Sequence, residues 1–129
     1  MKPRLVLLYT RDRNFDRVLK EALWGTRAVV LIARNPEAVR KIVFRRGREL
    51  DLAILDFNQG FRGMTVLNAL NGCYDNVPTL AVSSKGEGRA GALAFARNAR
   101  VCLSKPFSSA ILAKAIATLC PIQTRLVVA

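Results

Sequence analysis

Asp56 closes the apolar run Leu52-Ala53-Ile54-Leu55, Ser83 and Ser84 close the run Thr79-Leu80-Ala81-Val82, and Lys105 stands before Pro106 after the run Arg100 to Ser104. A carboxylate, a hydroxyl and an ammonium make a coherent chemical group if one edge of a sheet collects them. A carboxylate oxygen can attack a phosphoryl group and hold it as an acyl phosphate. An ammonium can bind the phosphoryl oxygens, and a hydroxyl can donate to them. Each residue alone has a plainer reading. Asp after a strand is commonly a turn residue, Ser before a helix commonly an N-cap, and Lys before Pro commonly just exposed.

Other chemistry is excluded more easily. The chain has no histidine, so an imidazole base, a Ser-His-Asp or Cys-His pair and the common zinc sites are all unavailable. Cys73, Cys102 and Cys120 lack CxxC spacing and read as reduced, mostly buried thiols. No glycine loop of the P-loop kind is present. An independent enzyme is not expected.

The elements that must position these groups alternate between two periods. Leu5 to Leu8 is a continuous apolar run, the pattern of a strand buried on both faces. Phe15, Val18, Leu19, Ala22 and Leu23 recur at helical spacing up to Gly25. Ala28 to Ile32 reads as the second strand. Asn35-Pro36 then opens a helix with an N-cap and a proline in its first turn. That helix carries Val39, Ile42 and Val43 as its apolar stripe and stops at Gly47. The third strand ends at Asp56. Met64 to Asn71 is a short helix with Val66, Leu67 and Leu70. A fourth strand, an alanine-rich helix from Gly88 to Ala99 and a fifth strand follow. Ser108 or Ser109 caps a last helix with Leu112, Ala115, Ile116 and Leu119 on one face, and Pro121 ends it. Five strands alternating with five helices imply an α/β, three-layer (βα)5 sandwich around a five-stranded parallel sheet. Residues 1–121 form the expected domain, and 122–129 the tail. In such open sheets the functional site lies beyond the carboxyl ends of the strands. Tyr9, Thr10, Asp56, Ser83, Ser84, Lys105 and Pro106 are the residues placed there.

The chain has 129 residues, 51% apolar and 23% charged, which fits one globular domain with a real core. No apolar run reaches membrane-spanning length, and the N-terminus lacks a signal-peptide cleavage pattern, so a cytoplasmic protein without membrane attachment is expected. Twenty-one Lys and Arg against nine Asp and Glu give a formal charge of +12, and residues 1–50 alone hold 13 basic and 5 acidic residues. Such an excess suits either an anionic partner or simply a solvated positive surface.

The chain resembles the receiver domain of bacterial response regulators over nearly its whole length. Leu50 to Asp56 looks like that family's third strand with its phospho-accepting Asp. Gly63 stands where the family has a glycine. Val77-Pro78-Thr79-Leu80-Ala81-Val82-Ser83 looks like the fourth strand, ending in the Ser/Thr that donates to the phosphate. Ser104-Lys105-Pro106-Phe107 matches the family's Lys-Pro-Phe, whose lysine pairs with the phosphoryl group. The resemblance implies a flavodoxin-like fold, Asp56 as phospho-acceptor, and Ser83 and Lys105 as phosphate contacts.

Two departures stand out. The family's acidic pair after strand one, which binds Mg²⁺, reads Tyr9-Thr10 here, followed by Arg11-Asp12-Arg13. A hard cation wants several oxygen ligands, so Mg²⁺ is expected to bind poorly and no cofactor is expected. Asp12 could reach the pocket through a displaced loop and, with Asp56, ligate Mg²⁺ there. Arg11 or Arg13 could instead lie over Asp56 in the cation's place, or simply stand solvated at a helix start. Cys102 stands at the switch position, where the family carries an aromatic.

The leading expectation is therefore a stand-alone, atypical receiver acting in two-component-type signalling through protein contacts. Its partner would be a histidine kinase or a downstream effector. By resemblance the contact face, which could also form a homodimer, is the fourth helix, fifth strand and fifth helix, with Leu93, Phe95, Cys102 and Lys114. The alternative is a conventional receiver phosphorylated on Asp56 with Mg²⁺. A nucleic-acid module built on Arg40, Lys41, Arg45, Arg46 and Arg48 is the least favoured reading. Those residues read as lacking interleaved aromatics, and no helix-turn-helix or zinc module is present.

Overall fold

The computed structural model describes residues 3–57, 65–68, 70, 77–83 and 99–122. Its elements are β1 (Arg4–Tyr9), α1 (Arg13–Ala22), β2 (Ala28–Ala33), α2 (Pro36–Arg46), a 3-10 turn (Gly47–Glu49), β3 (Leu50–Asp56), β4 (Thr79–Ser83), β5 (Val101–Ser104) and α3 (Ser109–Leu119). Residues 65–68 and 70 are helical as well. The five strands form one sheet in the order β2-β1-β3-β4-β5, and every pairing is parallel. This is the expected doubly wound sandwich.

Alternation along the strands divides the core into two layers. Leu5, Leu7 and Tyr9 of β1 and Ala53 and Leu55 of β3 pack with Val39 and Val43 of α2 and with Val66, Leu67 and Leu70. Val6, Leu8, Leu52 and Ile54 pack on the other face with Phe15 and Leu19 of α1 and Leu112 and Ile116 of α3. Each fully buried side chain of this size contributes roughly 1.5–3 kcal/mol. Both faces of β1 and β3 are covered, which is why their sequences read as unbroken apolar runs.

The element ends follow local chemistry. Asp12 caps α1 by accepting from Asn14 N at 2.9 Å. Asn35 caps α2 by accepting from Ala38 N at 2.8 Å, with Pro36 in the first turn. Of the two serines offered as a cap for the last helix, Ser108 is the one, accepting from Ile111 N at 3.2 Å. Gly25 has φ +75°, a conformation that glycine adopts without a Cβ clash, and it turns the chain from α1 toward β2. Gly47 is the C-cap of α2, the stop that was expected, and the chain then runs through the short 3-10 turn to Glu49.

Ala99 is buried but lies outside any helix. The remainder of the expected Gly88–Ala99 helix lies outside the described residues. So do Gly63, Cys73, Ser84, Leu93, Phe95 and residues 123–129 of the tail. Ile122 packs against the α1/α3 layer. One sequence reading is corrected. The cations of α2 do have an aromatic among them, because Phe44 is 90% exposed. The 3.6-residue period turns it away from the Val39/Val43 face. Among the described residues no helix is long and apolar enough to cross a membrane.

Candidate functional site

The sheet order reverses direction between β1 and β3, and the crevice beyond their carboxyl ends is where an α/β sheet of this order collects function. Asp56 is the last residue of β3 and is completely buried. Thr10, the first residue beyond β1, is completely buried beside it. Its Oγ1 donates to Asp56 Oδ2 at 2.6 Å. Lys105, just beyond β5, donates from Nζ to the same Oδ2 at 2.9 Å and to Asp12 Oδ2 at 3.0 Å. One ammonium therefore lies between two carboxylates, and one carboxylate oxygen of Asp56 takes both an ammonium and a hydroxyl proton.

The backbone holds these groups in place. Lys105 N donates to Ser83 O at 2.8 Å, tying the start of the Lys105 loop to the end of β4. The Lys105–Pro106 peptide is cis. The register sets Asp56 beside Val82 and Ser83 beside Ser104, so Ser83 lies one residue beyond the level of Asp56. Thr10 is fixed from several sides. Its N donates to Ala33 O at 3.2 Å, its carbonyl accepts from Arg34 Nη1 at 3.1 Å, and its Oγ1 accepts from Asp12 N at 3.0 Å. Arg34 is held in turn by Asp16, whose hydrogen bond pushes the guanidinium pKa up.

Lys105 Nζ also lies 5.2 Å from the centroid of the Phe15 ring, and Phe107 meets Phe15 edge-on at 5.6 Å. The ring's negative face favours the cation. Phe15 thus does two things, packing α1 into the core and facing the ammonium.

The positions expected to be degenerate part company. Tyr9 is fully buried in the α2 layer, while Thr10 meets Asp56. Asp12 reaches the site, and as a partner of Lys105. Its Oδ1 caps α1 and its Oδ2 meets Nζ. Burial raises the Asp12 pKa, but the hydrogen bond and charge of Lys105 and the backbone N–H groups of Asn14 and Phe15 outweigh it and leave the value lowered. Arg11 turns its Nε to Arg34 O at 3.2 Å, and Arg13 is exposed at the start of α1. Cys102 is half-buried against the α2 layer, and burial pushes its thiol pKa up.

Sequence reasoning missed Thr10 as a hydrogen-bond donor and Phe15 as the ring under Lys105. The sequence offers Asp12 to the pocket only through a displaced loop; it reaches Lys105 from the N-cap of α1, with one carboxylate oxygen on Asn14 N and the other turned inward.

The donor set does not suit Mg²⁺. That ion demands near-octahedral oxygen ligands at about 2.1 Å. Here the facing oxygens of Asp12 and Asp56 share an ammonium, and the third oxygen, Thr10 Oγ1, gives its proton to Asp56. Among the described residues no three His, Cys, Asp or Glu side chains gather in one place.

Solved structures share this fold. A response regulator receiver domain protein from Clostridium thermocellum superposes with a TM-score of 0.79 at 20% identity, covering 90% of this chain and 93% of that one. A response regulator from Thermotoga maritima gives 0.78 at 17% identity, covering 91% and 97%. A response regulator receiver protein from Burkholderia phymatum gives 0.77 at 20% identity, covering 95% and 99%. The chain has the flavodoxin-like fold of response regulator receiver domains. No family model matches the sequence, and no curated protein matches it.

Proposed function

We propose that the chain is an atypical receiver-type module of two-component signalling, acting through protein contacts with its acceptor pocket held by internal hydrogen bonds in place of a metal. The observation that carries this reading is the placement of Lys105 Nζ between Asp12 and Asp56, with Thr10 Oγ1 on the same Asp56 oxygen. A carboxylate attacking phosphorus needs a free lone pair and a nearby divalent charge to offset that of the incoming phosphoryl oxygens. In this pocket Oδ2 of Asp56 is engaged by a hydroxyl and an ammonium, which offset part of the charge it would bring to a metal. The partner is a protein, either a histidine kinase or a downstream effector. The face around β5 and α3, where Cys102 is half-buried and Lys114 exposed, is the contact surface by resemblance.

The competing reading is a conventional receiver phosphorylated on Asp56 with Mg²⁺. Incubation with a small phosphodonor such as acetyl phosphate, with and without Mg²⁺, separates the two by mass spectrometry. The proposed reading expects no Mg²⁺-dependent phosphoryl adduct. An adduct that needs Mg²⁺ and is lost in Asp56→Asn overturns it.

A further inference from the structure

We propose that the outer stripe of α2 is a platform for single-stranded nucleic acid, with Phe44 stacking on a base and Arg40, Lys41, Arg45 and Arg48 tracking the phosphates. Positions 40, 41, 44 and 45 recur at the spacing of one helix face, and Arg48 continues the line on the 3-10 turn. All five side chains are exposed. Among the described residues no ion pair holds Lys41, Arg45 or Arg48, while Arg40 has only an exposed contact with Glu37 at 3.5 Å. Beside Arg48 a cleft of about 530 Å³ opens, lined by Leu5 and Val29 and by Arg4 and Arg46, which pair with the lining residues Asp51 and Glu49 and leave Arg48 as its cation without an ion pair among the described residues. That volume falls in the range of sites that take small organic ligands, such as a nucleotide.

The chemistry favours a nucleic acid over other polyanions. A protein docking there would need an apolar core with charges kept to the rim. Phe44 is instead a single ring on a stripe of cations whose one acidic side chain is Glu37, paired with Arg40. A membrane would need a broad apolar helix face, and the apolar face of α2 is spent on the core through Val39 and Val43. A base needs only a ring to stack on and nearby cations for its phosphate, which is how single strands are bound without sequence readout. The surface lies in the α2 layer, at a distance in the fold from the Asp56 pocket, so this inference stands or falls independently of the receiver reading.

Fluorescence anisotropy with labelled oligo(dT) and oligo(U) of about 12 nucleotides tests it on the whole chain. The expected result is binding that weakens steeply with salt. Lys41→Gln with Arg45→Gln should lower the log–log salt slope by about 1.4, at about 0.7 per phosphate contact. Phe44→Ala should weaken binding about tenfold with the slope unchanged. Lys20→Gln, on α1 in the opposite layer, should change nothing. Absence of binding at low salt overturns the proposal. So does displacement of the oligonucleotide by polyglutamate or anionic vesicles at equal charge, or a Phe44→Ala variant that binds as tightly as the parent.

Discussion

Lys105 makes two ion pairs of nearly equal length, 2.9 Å to Asp56 and 3.0 Å to Asp12, and their energies should differ severalfold. Distance does not separate them, but burial does. The Asp56 side chain is 0% exposed and that of Asp12 is 38% exposed, with Lys105 itself at 17%. Removing one member of a buried pair leaves a charge with no water to replace the lost partner and costs about 3–5 kcal/mol. An ion pair open to solvent is worth about 0–1 kcal/mol. Lys105→Met should therefore destabilise the fold by about 3 kcal/mol, near the lower bound because Thr10 still donates to Asp56. Adding Asp56→Asn should recover most of that loss, since the uncompensated charge is gone. Urea unfolding followed by circular dichroism measures each variant, with an unchanged m-value as the check that the unfolded state is the same. The two double-mutant cycles should give a Lys105–Asp56 coupling of about 2–3 kcal/mol. The Lys105–Asp12 coupling should fall below about 1 kcal/mol. Equal couplings, or a Lys105→Met cost under about 1 kcal/mol, would refute the reasoning, because buried charge would then not be what holds the pocket.

Further outcomes follow from the same geometry. Thr10→Val keeps the shape but removes the hydroxyl from Asp56, and should cost about 1.5–3 kcal/mol, the worth of a hydrogen bond to a charged group, by the same urea assay. Thr10→Asp places a second carboxylate against Asp56 and should produce Mg²⁺-dependent amide shifts that exceed those of the parent chain. Asp12 has a folded pKa below its ordinary 3.8, so its contribution to stability is fully present above that ordinary value and is lost as pH falls through the folded one. The gap in urea midpoint between the parent and Asp12→Asn should accordingly be constant near neutrality and close below about pH 4.

Much of the fold was legible in the sequence because burial writes itself into composition. β1, β3 and β4 are covered on both faces, so Leu5–Leu8, Leu52–Leu55 and Leu80–Val82 read as unbroken apolar runs. Asn35-Pro36 and Ser108 mark helix starts through a local hydrogen bond of three residues' reach. The strand ends of the site could be placed for the same reason, since a parallel sheet brings the residues that end or follow β3, β4 and β5 to one edge, with Ser83 one residue beyond the level of Asp56. What could not be read is contact across the fold. Thr10 and Asp56 are 46 residues apart, and a threonine at a position expected to carry a carboxylate looks like a loss until its hydroxyl is seen on the aspartate. Phe44 was passed over because it adds nothing to the apolar stripe. The helical period that excludes it from the core is the same one that aligns it with Lys41 and Arg45. Gly47 was legible as the stop of α2, but the 3-10 turn after it, spanned by the Arg46–Glu49 pair at 2.8 Å, was not.

The central claim is that the pocket is held by Lys105 and Thr10 without metal. Amide NMR spectra recorded while titrating Mg²⁺, then adding beryllofluoride as a phosphoryl mimic, test it most directly. The account expects no saturating shifts at Asp56, Ser83 or Lys105 up to millimolar Mg²⁺, and none on adding the mimic. Saturating shifts centred on those three residues would contradict it and establish a working, metal-dependent acceptor site.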